Sequence, residues 1–303
     1  MEKQGPTKPR RLRELLAHRM VVMPGAFNAL TAMQIERAGF DAVYVSGASL
    51  AAARGLPDIG LLSMAEVVSD AGTIANAVAI PALVDADTGY GPPLAVMRAV
   101  REFERAGLAG MQLEDQESPK KCGHLPDKRL VPASEMARKI GAAVDARCDP
   151  DFLIVARTDA RAVEGLDAAV QRAREYVHAG ADALFPEALE SAEEFRAFAQ
   201  WLTKEGIKVP LVANMTEFGK TPYLNVKEFE DLGYRIVLFP VTALRVATKA
   251  IETMLEELKT KGTQQDSLSR MHTRQQLYDL LRYSEYEKRD RDLQERYGGE
   301  PQD

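Results

Sequence analysis

A repeating pattern constrains this chain more than any other feature. A short apolar run is followed by a longer amphipathic stretch, and the pair recurs eight times. The apolar runs cover 21–24, 42–45, 81–84, 109–113, 152–156, 183–185, 211–213 and 236–239. None alternates apolar with polar, so each reads as a strand buried on both faces, the mark of a parallel sheet. Helices are expected over about 28–38, 64–78, 94–106, 134–147, 166–179, 192–203, 226–232 and 243–258, the second of them capped by Ser63. Several end in Ala-Gly or Leu-Gly (38–39, 106–107, 179–180, 232–233), the expected stop. Eight such units predict an α/β fold, a (β/α)8 TIM-type barrel. A doubly wound open sheet would have fewer strands and a glycine-rich phosphate turn after the first one, and that turn is absent.

The barrel is expected over about 19–260 of a single domain, 1–303. Leu12, Leu15 and Leu16 predict a short amphipathic helix ahead of it, after ten disordered residues. Beyond it, 267–282 reads as a further amphipathic helix within an extension of about 265–287. Its Met271, Leu277, Leu280 and Leu281 need an apolar surface, on the barrel itself or on a neighbouring subunit. The polar end, 285–303, is expected to fray.

The formal charge of −6 gives no reason to expect a nucleic-acid partner or an anionic membrane surface. No apolar run reaches the about 18 residues of a membrane span. With two cysteines, Cys122 and Cys148, no disulfide framework is implied, and a reducing cytoplasm is the expected compartment.

A barrel assembles its chemistry at the C-terminal ends of the strands. Those ends carry Ser46-Gly47, Asp85 and Asp87, Glu114, Arg157, Glu187 and Asn214, with Arg245 just after the last strand. Asp85 and Asp87 are two residues apart, which puts them on one side of an extended segment. Paired carboxylates without nearby His or Cys favour a hard cation such as Mg2+, or Mn2+ in its place, with Glu114 acting directly or through water. Asp87-Thr88-Gly89 also reads as a simple turn. Arg157 and Arg245 offer bidentate forks for substrate carboxylates, or, for either, a buried salt bridge with Glu187 or Asp159. The loop 116–130 carries Lys120-Lys121-Cys122-Gly123-His124: a thiol beside positive charge, which favours the thiolate, and a histidine able to hold a substrate carboxylate. With three lysines and a glycine, the loop is expected to act as a lid. His18, His178 and His272 lie in helical patterns and receive no role, and Cys148 is read as passive.

Glu114-Asp115-Gln116 followed by Lys120-Lys121-Cys122-Gly123-His124 resembles the signature of the isocitrate lyase and phosphoenolpyruvate mutase superfamily. The likeness extends through the segments 84–89, 156–160, 164–167, 184–187, 214–219 and 273–278. It is most like the branch whose members cleave 2-methylisocitrate to pyruvate and succinate. The resemblance implies a homotetramer in which the eighth barrel helix is swapped between subunits. It implies Mg2+ on Asp85 and Asp87 with Glu114 nearby. Substrate, a small tricarboxylate, would be held by Ser46, Gly47, Ala48, Cys122, Gly123, Arg157, Glu187, Asn214, Met215, Thr216, Arg245 and Arg274. Cys122 would be the general acid, and the base would be Tyr44 or Asp58. One departure is visible: Ser46-Gly47-Ala48 stands where the family often has Ser-Gly-Gly. The competing expectations are a sister enzyme (dimethylmalate lyase, oxaloacetate decarboxylase or phosphonomutase) and a non-catalytic binding protein. The thiol argues against the last two.

Overall fold

The computed structural model describes residues 5–123 and 125–297, so the expectation for His124 lies outside the described residues. Eight parallel strands form one sheet: β1 Val21–Ala26, β2 Val43–Val45, β3 Ala82–Asp85, β4 Gly110–Glu114, β5 Leu153–Thr158, β6 Ala183–Pro186, β7 Val212–Asn214 and β8 Ile236–Phe239. Their order is β6-β5-β4-β3-β2-β1-β8-β7. The two outer strands meet through a parallel bridge, Leu184 to Leu211, so the sheet closes on itself as the expected (β/α)8 barrel.

The alternating register sorts the side chains. Val21 and Met23 of β1 sit opposite Ile236 and Leu238 of β8, and all four join the interior cluster with Tyr44, Leu83, Val155 and Phe185. The opposite faces of the strands pack on the surrounding helices: α2 Ala29–Arg37, α4 Met64–Asn76, α5 Pro93–Arg105, α6 Ala133–Ala146, α8 Leu166–His178, α9 Ala192–Lys204 and α10 Val226–Asp231. The first helix, α1 Lys8–His18, begins inside the stretch expected to be disordered. Thr7 caps it, and its Leu12 and Leu16 are buried in the interior cluster, which explains why it is ordered.

Ser63 caps α4 in a full capping box with Glu66, as its position predicts. The glycines after the helices, Gly39, Gly107, Gly180 and Gly233, all have positive φ. Two short helices were not foreseen: α3 Gly47–Ala53, capped by Ser46, and α7 Ala160–Val163. Both lie directly after strands, where a few residues give no measurable period.

The chain divides into two compact units, one ending at Arg245 and the other beginning at Val246, within the helix α11 Thr242–Lys261. In the second unit the expected single helix is broken. A 3-10 turn, Gln265–Arg270, ends at extended Met271, and α12 Arg274–Leu280 restarts behind a capping box of Thr273 and Gln276. That box stood in the sequence as a restart signal. Of the end expected to fray, the described part is instead helical, α13 Tyr283–Tyr297, though exposed, and 298–303 lie outside the described residues. No described helix is long and apolar enough to cross a membrane.

Candidate active site

A cavity of about 100 Å³ opens at the C-terminal ends of the strands. Its floor is Tyr44 of β2, Phe185 of β6 and Leu238 of β8, continuous with the apolar interior. Ser46, Ala48, Asp58, Asp85, Lys120, Lys121, Cys122, Gly123, Arg157, Glu187, Asn214, Thr216, Pro240, Val241 and Arg245 complete the lining. Most residues singled out from the sequence therefore meet in one place.

On one side the carboxylates gather. Asp85 Oδ1 accepts the backbone N–H of Asp87 at 3.0 Å, and Oδ2 lies 3.4 Å from the N–H of Gly47. A Cβ on Gly47 would sit 3.2 Å from Asp85 Oδ2 and 3.3 Å from Asp87 Oδ1, so the missing side chain is what lets two carboxylate oxygens share that space. Burial and then the Asp87 charge push the Asp85 carboxyl up to about 6. Glu114 is buried, and neither of its oxygens accepts a hydrogen bond. Burial pushes its carboxyl well above the usual range against the pull of Arg157 and Lys120. Lys120 is itself buried, its ammonium 2.9 Å from Asp87 Oδ1 and in contact with Asp58. Burial works against that charge, but Asp87, Glu114, Asp85 and Asp58 together hold it well above the usual lysine range.

Among the described residues no three His, Cys, Asp or Glu side chains converge as a ready-made metal cage. The donor set nevertheless suits a cation that binds through one or two carboxylates and keeps its waters. It is all oxygen, and Glu114 leaves two buried acceptors unmet.

On the other side the guanidinium of Arg157 sits over the Phe185 ring at 5.4 Å. It donates to Asp159 through Nε at 2.9 Å and Nη2 at 3.1 Å, and its Nη1 lies 3.3 Å from Glu114 and 3.4 Å from Glu187. Both readings of Arg157 thus hold together: it is salt-bridged and it faces the cavity. Asn214 donates to Glu187 at 3.1 Å, leaving its own Oδ1 buried without a partner. Arg245 donates to the Glu217 carbonyl at 2.7 Å and carboxylate at 2.8 Å.

The loop from β4 to α6 folds over the mouth. A Cβ on Gly123 would meet Glu187 Cγ at 2.5 Å and Arg157 Nη2 at 2.6 Å, so only glycine fits against the Arg157–Glu187 pair. Its neighbour Cys122 is a free, half-buried thiol in the cavity lining. The lysines expected to charge that thiol turn elsewhere: Lys120 toward Asp58 and Asp87, and Lys121 toward the Pro126 carbonyl at 3.4 Å. Adjacency in sequence did not become adjacency in space.

Three other expected site residues are placed as follows. Tyr44 donates its hydroxyl to Gln112 Oε1 at 2.8 Å, and burial, then Asp85, push that hydroxyl well above its ordinary range. It therefore keeps its proton and lacks the ionised form a base needs. Met215 is buried in the outer apolar cluster, while Asn214 and Thr216 on either side line the cavity. Arg274 opens α12 in the second unit. Sequence reasoning missed the floor residues Phe185 and Leu238, and the partner of Arg245, Glu217. Period-two inward positions at the strand ends would have found the first two.

A parallel barrel with carboxylates, guanidinium groups and a thiol at its C-terminal mouth defines a class of enzymes acting on small oxyanions. The model of the phosphoenolpyruvate phosphomutase family matches residues 12–259, and the chain belongs to that family. It is 53% identical to 2-methylisocitrate lyase of Aeropyrum pernix, over 93% of this chain and 90% of that protein. It is 50% identical to 2-methylisocitrate lyase of Bacillus subtilis, over 93% and 92%. A crystal structure of 2,3-dimethylmalate lyase superposes with a TM-score of 0.89 at 35% identity, covering 96% of each chain.

Proposed function

We propose that this protein is a carbon–carbon lyase that cleaves 2-methylisocitrate to pyruvate and succinate in the methylcitrate cycle of propionate breakdown. The observation that carries the reading is the free Cys122 thiol facing a cavity whose other walls are carboxylates and arginines. A non-catalytic binder has no use for the thiol.

In this mechanism Arg157 and Arg245, with Asn214 and Thr216, grip the substrate's carboxylates. Ser46, Gly47 and Ala48 contact it at the start of α3, and Gly123, Glu187, Met215 and Arg274 complete the proposed substrate set. Asp58 takes the hydroxyl proton, since Tyr44 holds its own. The carbon–carbon bond breaks in a retro-aldol step, and the succinate half leaves with charge developing on carbon and carboxylate. Cys122 donates a proton to that carbon. Positioned proton transfer of this kind is worth about 10²–10⁴ in rate. Asp85 and Asp87, with Glu114 directly or through water, would hold Mg2+ or Mn2+, which when bound polarises the oxygens of the half that becomes pyruvate.

The chain acts as one domain in the cytoplasm, in a homotetramer with its C-terminal helices exchanged between subunits. The exposed Val246, Ile251, Leu255, Leu268 and Tyr286 of those helices support the exchange.

Pyruvate release from 2-methylisocitrate, with and without Mg2+, tests the reading beside isocitrate, 2,3-dimethylmalate and oxaloacetate. Fast, Mg2+-dependent release from 2-methylisocitrate alone is the expected result. Preference for 2,3-dimethylmalate would move the enzyme to that sister activity, which the structural likeness favours as the second reading.

A further inference from the structure

Lys128 lies on the loop between β4 and α6, and its side chain is 1% exposed. An ammonium is not buried to that extent without partners. Its partners join two parts of the site. Lys128 donates to the carbonyl of Gly123, the residue after the thiol, and to Asp159 Oδ1 at 2.6 Å. Asp159 is fully buried at the end of β5 and also holds both the Nε and Nη2 of Arg157. Burial disfavours the Asp159 carboxylate, yet Arg157 and Lys128 outweigh it and hold the group below its usual range. One carboxylate thus binds the arginine of the cavity and the lysine of the loop.

The loop's roots are fixed without this lysine. Glu117 donates to the Arg129 carbonyl at 2.8 Å, Val131 donates to the Asp115 carbonyl at 2.9 Å, and Gln116 bridges to Leu130. Nearer the tip, Gln116 holds both the N–H and the carbonyl of Lys121 from within the loop. The Lys128–Asp159 pair reaches instead from the loop to the barrel, five residues from Gly123 and six from the thiol.

We infer that Lys128 is the latch of the thiol loop, a positioning residue that holds Cys122 over the cavity by tying Gly123 to the carboxylate that also carries Arg157. The role of the loop in turnover rests on the lyase reading above; the latch itself does not. Closing the loop and setting the arginine are then one arrangement, because Asp159 is common to both. Opening the loop withdraws one of the two cations facing Asp159 and leaves Arg157 as its partner.

The test uses the full-length protein with Lys128→Met, and Lys128→Gln as a second variant that keeps a hydrogen-bond donor in the same space. Iodoacetamide alkylation is followed separately at Cys122 and Cys148 by peptide mass. Cys148 is exposed and distant in sequence, so it reports general loosening. A freed loop should raise the Cys122 rate about tenfold with the Cys148 rate unchanged, since modification follows the population of the open form. With substrate, kcat should fall by at least about tenfold while KM moves less, because thiol placement serves a step after binding. If Cys148 also speeds up in the Met variant, that variant has loosened as a whole and the Gln variant decides. A Cys122 rate within about twofold of wild type in a folded variant overturns the latch, even if turnover drops. The alkylation arm needs no substrate, so its outcome holds whichever acid the enzyme cleaves.

Discussion

Glu114 and Asp115 are consecutive, both acidic and both buried, yet they serve opposite ends. Strand alternation turns Glu114 into the barrel mouth and Asp115 outward, toward α8. Asp115 accepts from Thr158 at 2.7 Å, Tyr176 at 2.7 Å, the Asp159 backbone at 2.9 Å and Arg172 at 3.5 Å. Glu114 accepts no hydrogen bond and has only the approach of Arg157. Burial raises both carboxyls, so the shift does not separate them. What separates them is whether the acceptors are filled. A buried carboxylate with every acceptor met is holding structure together, and one left open beside other acids is kept for something that arrives.

The contrast predicts a split in what each substitution damages, and the largest effect is on stability. Asp115→Ala should destabilise the fold by roughly 3–5 kcal/mol, because it leaves the Thr158 and Tyr176 hydroxyls and the Asp159 N–H buried without their acceptor, at about 1–3 kcal/mol each. Urea denaturation would show it as a fall in midpoint, and a loss below about 1 kcal/mol would mean the network is redundant. Glu114→Gln should leave stability within about 1 kcal/mol of wild type. Its effect should appear instead as an increase of about 10–100-fold in the Mg2+ needed for half-maximal rate, the range for residues that orient metal ligands. A Glu114→Gln protein that unfolds early and needs no extra Mg2+ would erase the distinction.

How much of this was legible in the sequence depends on which property had to be read. The barrel was legible because eight unalternating apolar runs leave few alternatives, and the strand ends then gathered Asp85, Arg157, Glu187 and Asn214 without further information. The side chain of Met215 lies in the apolar cluster, as the same period-two rule applied from Asn214 to Thr216 implies, so any contact it makes with substrate is through its backbone. The burial of Lys120 and Lys128 was not legible. A lysine in a polar loop looks solvated, and only the folded path shows that each ends against a carboxylate. The break at Met271 was signalled by Thr273-x-x-Gln276 but masked by the apolar period running across it.

The fit of the loop against the Arg157–Glu187 side gives a smaller effect. Gly123→Ala places a methyl into Arg157 and Glu187, an overpacking of roughly 1–3 kcal/mol that falls on the closed loop rather than on the fold. Thermal unfolding should barely move while kcat/KM drops. Equal losses in both would mean that the loop conformation is part of the stable core.

The smallest effect concerns Tyr44, which shares the mouth with Glu114 but, like Asp115, has a filled bond. Tyr44→Phe removes the hydroxyl that donates to Gln112 Oε1 at 2.8 Å. The amide Nε2 of Gln112 already has no partner, so the substitution leaves the whole amide buried and unpaired. That should lower stability by roughly 1 kcal/mol, the net worth of one neutral hydrogen bond. Turnover should fall by less than about tenfold, because a general base would be worth about 10²–10⁴ and a phenol that keeps its proton is not acting as one. A loss of that larger size at unchanged stability would return Tyr44 to the role of base.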